Sequence, residues 1–97
     1  MSPDNMLNFI IVAKRSESPF VPAVIAAIGN GKVEPKLLGG ELEKLGFDID
    51  FNGDDDNGFE CTISKVSPKT EQKLFTAQGF GSSEDEALLM AGYRGLL

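Results

Sequence analysis

The chain reads as an α+β domain in which a three-stranded antiparallel sheet packs on helices, and three observations carry that reading. The hydrophobic period changes from helical to two just after Gly46, where Phe47, Ile49 and Phe51 alternate with Asp48, Asp50 and Asn52. Strand-like segments follow one another across two runs of turn-forming residues, 53–58 and 67–71. Helical patterns with start signals flank the strands, one opening at Glu34-Pro35 and one at Ser82-Ser83. From about residue 35 the expected order is therefore α-β-β-β-α, preceded by an N-terminal helical segment over residues 1–33, and the 97 residues make a single domain. A chain of this length buries roughly 64% of its extended surface, enough for one modest core.

In chain order, Ser2-Pro3 supplies an N-cap and a proline suited to a first helical position, and Asp4 suits the positive end of a helix dipole. These predict a helix from Pro3 to Arg15, although the β-branched run in Phe9-Ile10-Ile11-Val12 would also suit a buried strand. Ser18-Pro19 repeats the cap signal, and Val21, Val24, Ile25 and Ile28 recur at helical spacing until Gly29-Asn30-Gly31 stops the helix. The third helix places Leu37, Leu38, Leu42 and Leu45 on one face and ends at Gly46, while Gly39-Gly40 within it suggests that something packs closely there. The first strand is Phe47 to Asn52, with one buried and one wet face. The second carries Phe59, Cys61 and Ile63 on one face against Glu60, Thr62 and Ser64 on the other. Lys73 to Gln78 forms the third strand, which Gly79 to Gly81 ends. A serine then caps a last helix whose first turn is Glu84-Asp85-Glu86. The expected core is Leu38, Leu42, Leu45, Phe47 or its neighbours Ile49 and Phe51, Phe59, Cys61, Ile63, Phe75, Ala87, Leu88 and Ala91.

Composition narrows the chemistry. The chain has no His, which removes Ser-His and Cys-His catalysis and His-containing zinc sites, and its single Cys removes an internal disulfide and any CxxC motif. No apolar stretch approaches the ~18 residues that would span a bilayer, and Asp4 stands where a signal peptide would carry a basic segment. A lone Cys61 and no export signal point to the cytoplasm. The net charge of −6 is uneven: residues 1–33 carry +1, residues 34–46 carry −1 and residues 47–97 carry −6. Such a field repels phosphate backbones and attracts basic surfaces, beyond its plain contribution to solubility.

Four constellations merit a chemical reading. Asp48, Asp50, Asn52 and Gly53 match the opening of an EF-hand calcium loop, but Phe59 stands at the twelfth position, where a bidentate Glu is needed, and Glu60 is one residue late. The same six residues alternate like a strand. Ser82, Ser83 and Cys61 lack a nearby base and read better as two capping hydroxyls and a core thiol. Gly79 to Ser83 has the look of a phosphate loop before a helix, but no Gly-Lys-Ser/Thr follows and the next three residues are acids. Close carboxylate pairs are unavoidable with 15 acids, and no pair is marked as buried for acid–base work.

The α-β-β-β-α order resembles the double-stranded-RNA-binding fold, whose members dock the start of their last helix and a strand-connecting loop on RNA. Here the corresponding places hold Glu84-Asp85-Glu86 and Asp54-Asp55-Asp56, both of the wrong sign for phosphate, and the cluster Lys65, Lys69 and Lys73 is small against −6. Across the last sixty residues, Gly46, Phe47, Phe59, Cys61, Phe75, Ala77, Gly79, Glu86, Ala87 and Ala91 resemble the pattern of small phage and prophage accessory proteins of the phage ABA-sandwich kind. The Glu86-Ala87 helix opening is similar to that of small antitoxins as well. The ABA-sandwich resemblance implies no enzyme activity, no cofactor and no assigned ligand.

Together these features predict a non-enzymatic, acidic protein-binding module of phage or prophage origin. Asp54, Asp55, Asp56, Glu84, Asp85 and Glu86 are its contact residues for a basic protein partner, such as a host or defence component that it inhibits. A nucleic-acid-binding module and a calcium-binding protein are the alternatives. No metal ligand set and no membrane attachment are expected.

Overall fold

The computed structural model describes residues 10–29, 32–66, 69 and 73–96, of which 66 and 73–75 are described by their backbone. Residues 10–15 are helical (α1), which settles the region around Ile10 to Val12 as helix rather than strand; the Ser2-Pro3 start lies outside the described residues. The next helix, α2, spans Val21–Ala26 and is shorter than its apolar spacing suggests. Ser18 acts one step ahead of it: its Oγ accepts the Phe20 N–H at 3.2 Å and donates to the Gly95 carbonyl. Ile28 belongs not to this helix but to a two-residue strand, β1 (Ile28–Gly29), paired antiparallel with β2 (Lys32–Val33).

Helix α3 spans Pro35–Lys44, with Pro35 in its first turn and Glu34 extended at the N-cap. It ends as the sequence implies, because Gly46 takes φ +91°, a backbone that side-chain-bearing residues rarely adopt. Its apolar stripe is narrower than expected. Leu38 and Leu42, one turn apart, are fully buried, whereas Leu37 is 50% and Leu45 37% exposed, since both flank the stripe that faces the core. Nor do Gly39 and Gly40 mark a tight contact: a Cβ at Gly39 would find Leu88 at an ordinary 3.5 Å, and one at Gly40 would meet nothing within 4 Å.

The main sheet has the order β3-β4-β5, with β3 Asp48–Asp54, β4 Gly58–Val66 and β5 Lys73–Gly81, all antiparallel. α4 follows as Glu84–Leu96. This is the α-β-β-β-α order expected from residue 35, in the α+β class. Directly paired residues share a face, so Ile49, Cys61 and Ile63, and Ala77 and Gly79, point to the helices, while Asp48, Asp50, Thr62 and Gln78 point to the open side. α4 lies over β5 and β4, and α3 packs on β3, where a Cβ at Gly39 would stand 3.9 Å from Ile49 Cδ1. β3 has little helix cover, so Phe51 is 38% exposed and Ile49 only partly buried, and Phe59, at the start of β4, is also only partly buried. Phe47 is buried just before β3 begins, and the Phe75 side chain lies outside the described residues.

Another correction concerns Gly79 to Gly81, read from sequence as the end of the third strand. They continue it, pairing with Cys61 to Phe59. Gly79 is glycine because α4 sits directly on it: an added Cβ would stand 2.6 Å from Ala87 O and from Met90 C, and closer still to Ala91 N.

One core unites the elements. Ala13, Phe20, Ala23, Val24, Ala27 and Val33 are buried in the same cluster as Leu38, Leu42, Cys61, Ile63, Ala87, Leu88 and Ala91, so the described part of the N-terminal segment is a component of the core. Phe20 meets Phe47 edge to face with ring centroids 4.9 Å apart, and Lys65 Nζ sits 5.4 Å from the Phe47 centroid. Ser16 Oγ donates to the Leu96 carbonyl at 2.7 Å, so two serines after α1 satisfy carbonyls that the end of α4 leaves open.

Candidate functional site: the acidic end of the sheet

The β3–β4 turn is built on Asp54. Its Oδ1 accepts the backbone N–H groups of Asn57 at 2.7 Å and Asp56 at 3.0 Å, and its Oδ2 accepts Asn57 Nδ2 at 3.2 Å. These bonds stabilise the ionised carboxylate and hold its pKa below the ordinary value, the Asn57 backbone bond contributing most. The turn's preference for charged Asp54 is therefore present above the usual carboxylate range and is lost as pH falls through the depressed value. Gly53 precedes it with φ +111°, where an added Cβ would be 3.0 Å from Phe59 Cα and closer to Gly58 O, so the hairpin closes only around glycine.

The start of α4 is a reciprocal cap. Ser83 Oγ accepts the Glu86 N–H at 3.1 Å, and Glu86 reaches back to accept from Ser82 Oγ at 3.1 Å and Ser82 N–H at 3.4 Å. These Ser82 bonds lower the Glu86 pKa. The two serines are thus caps, as their positions in the sequence suggest. Ser83→Ala is expected to cost about 1 kcal/mol, read as a lower urea midpoint with an unchanged slope.

Register brings the two acidic segments to one end of the molecule. Phe59 pairs with Gly81 and Asp54 with Gly58, so the turn at residues 55–57 and the step from Gly81 into α4 flank the same end of β4. Asp54 and Glu86 are engaged in the turn and the cap. Asp55, Asp56, Glu84 and Asp85 are exposed and project from that scaffold. Between the segments lies a groove of about 320 Å³ lined by residues that include Asn52, Phe59, Glu60 and Phe80. Phe80 is 53% exposed, with Arg94 Cζ 5.8 Å from its ring, and Glu60 Oε1 accepts Gln78 Nε2 at 3.3 Å beside it. Lys65 and Lys73 lie toward the opposite end of β4 and β5, the end at which Asp48 pairs with Ser64.

The sequence marks the carboxylates as candidates but not Phe80 and Glu60, which the structure places beside them. The signal was the small-residue alternation of Ala77, Gly79 and Gly81, which places Phe80 on the face away from α4.

The remaining chemical candidates have structural places. The Asp48-Asp50-Asn52 series lies on an intact strand ladder, which spreads its side chains along the sheet instead of wrapping them around a centre as an EF-hand loop does. Among the described residues no group of three or more His, Cys, Asp or Glu is placed to hold a metal ion. Cys61 is buried, and burial, reinforced by the negative charge of Asp50, pushes its thiol up to about 11, so it is a poor nucleophile at neutral pH. Among the described residues no helix is long and apolar enough to cross a membrane. The chain matches no family model, no curated protein and no solved structure.

Proposed function

We propose that the chain is a non-enzymatic, acidic protein-binding module of the phage or prophage accessory class that its last sixty residues resemble, acting in the cytoplasm on a basic protein. The supporting observation is the convergence of Asp54, Asp55, Asp56, Glu84, Asp85 and Glu86 from two distant segments beside the groove that Phe80 and Glu60 help to line. Turn and cap hydrogen bonds hold Asp54 and Glu86 in place, so the four projecting carboxylates are presented on a rigid frame with little ordering cost on binding. The groove adds an aromatic surface that a partner's apolar side chain or guanidinium stem would cover. The absence of His, the core position of Cys61 and the capping roles of Ser82 and Ser83 support a non-enzymatic role. On this reading the module inhibits a basic host or defence protein by covering its charged working face.

The test replaces only the projecting acids: Asp55→Asn, Asp56→Asn, Glu84→Gln and Asp85→Asn together, leaving Asp54 and Glu86 to maintain the fold. Immobilised wild type should retain a stoichiometric basic protein from host lysate after nuclease treatment. The quadruple variant should bind that protein at least about tenfold more weakly at physiological salt, the sum of several exposed charge pairs. Equal binding by the variant would end the acidic-surface reading. Recovery that vanishes with nuclease would favour a nucleic-acid-binding module instead.

A further inference from the structure

Among the described residues β3 is hydrogen-bonded on one side only, by β4. Among the described residues its other edge has no strand partner, and six of its seven residues are exposed. Such an edge offers a row of backbone donors and acceptors to an incoming chain. Proteins commonly blunt edges with proline, a bulge or a very short strand. β3 has no proline, extends seven residues and keeps unbroken register with β4.

Its side chains sort by parity. Asp48, Asp50, Asn52 and Asp54 lie on the open face, and Ile49 and the 38%-exposed Phe51 on the helix side. A groove of about 480 Å³ borders the first half of the strand, lined by Glu43, Gly46, Phe47, Asp48, Ile49 and Asp50. Edge, groove and carboxylates therefore coincide, with Glu43 of α3 adding a third acid to the groove wall.

The charges decide what fits. Two copies joined antiparallel through β3 about Phe51 would set Asp48 against Asp54 across the junction, and like charges directly opposite each other destabilise a strand pair. A basic segment reverses the sign of every such pair. We propose that β3 receives, as a fourth strand, an extended segment of a basic protein with Lys or Arg at every second position over Asp48, Asp50 and Asp54. Apolar side chains at the intervening positions cover Ile49 and Phe51. Backbone pairing holds the segment, and the alternating charge fixes its register. This inference rests on the acidic-module reading and specifies how the partner's chain is held.

The full chain, labelled with ¹⁵N, is titrated with the acetylated and amidated peptide Lys-Val-Lys-Val-Lys-Val-Lys. In parallel it is titrated with the same peptide N-methylated at every second amide, in both phases. Added-strand binding should shift the amide resonances of residues 48–54. Methylation in the pairing phase should weaken it at least about tenfold by removing several backbone hydrogen bonds. Asp48→Asn with Asp50→Asn should weaken it roughly three- to tenfold, more at low salt.

Equal affinity for all three peptides, with shifts confined to residues 54–56 and 84–86, would overturn the added strand while leaving the acidic-end reading standing. An absence of shifts with every peptide would also overturn it. So would sedimentation as a dimer with the β3 amides protected, because the edge would then belong to a second copy. The quadruple variant described above keeps β3 intact, so loss of the native partner by that variant reports on the acidic end independently.

Discussion

Gly79→Ala is expected to destabilise the protein by about 3 kcal/mol or more, at the upper end of overpacking effects. The methyl group has nowhere to go. Its Cβ would stand 2.6 Å from Ala87 O and Met90 C and closer still to Ala91 N, all atoms of the α4 backbone. A side-chain neighbour can swing aside by a rotamer change, but a helix backbone yields only by moving the whole helix. α4 contributes Ala87, Leu88, Leu89, Ala91 and Leu96 to the core, so lifting it uncovers β4 and β5 together. For a domain whose net stability falls in the usual range of about 5–15 kcal/mol, the loss is a large fraction. Urea unfolding followed by circular dichroism reads it as a midpoint decrease. Gly40→Ala is the control: nothing lies within 4 Å of its added Cβ, and relief of helical glycine should stabilise by up to about 1 kcal/mol. If Gly79→Ala left the midpoint unchanged, the close seat of α4 on β5 would be wrong.

That glycine also shows what kind of information the sequence holds. Elements with strong periodicity were legible: the two-residue alternation at Phe47 to Asn52, the capped α4, and α3 from Pro35 to Gly46. Glycine has two meanings that composition alone does not separate. Gly79 to Gly81 resembles a strand end, yet its real cause is the close approach of a helix lying far along the chain, and only the alternation with Ala77 hints at it. Gly29-Asn30-Gly31 has the composition of a helix stop, although Asn30-Gly31 between Ile28-Gly29 and Lys32-Val33 is a strong hairpin signal. Local apolarity misplaced Leu37, Leu45 and Phe51 because burial depends on where neighbouring helices end.

The candidate site divides in the same way. Charge, turn and cap mark all six acidic residues as candidates in the sequence. Their meeting depends on Phe59 pairing with Gly81, a register choice that no single segment contains. The edge of β3 was less legible still, since an alternating strand looks the same whether it is central or peripheral.

Phe20→Ala should lower stability by about 3–5 kcal/mol, the usual cost of emptying a buried aromatic site. Phe20 is fully buried, although it comes from the segment that sequence alone left apart from the sheet. Its ring meets Phe47 edge to face at 4.9 Å, just where α3 turns into β3. Its other side lies against Gly95, where an added Cβ would overlap the ring atoms Cδ2 and Cε2, so the ring rests on the α4 backbone itself. One side chain thereby joins α2, the α3–β3 junction and the end of α4. The Ser16 and Ser18 bonds to the Leu96 and Gly95 carbonyls reinforce the same junction. Removing the ring leaves a cavity that the glycine opposite cannot fill, and the melting temperature should fall by roughly 12 °C or more for a domain of this size. Phe20→Leu, which keeps most of the volume, should cost markedly less. Melting followed in parallel by far-ultraviolet circular dichroism and by the reactivity of Cys61 distinguishes a shared core from an appendage. Both signals should shift together, because Cys61 lies inside the sheet and Phe20 outside it. A Cys61 transition that stayed in place while helical signal was lost early would mean that the segment around Phe20 folds onto a sheet already stable without it.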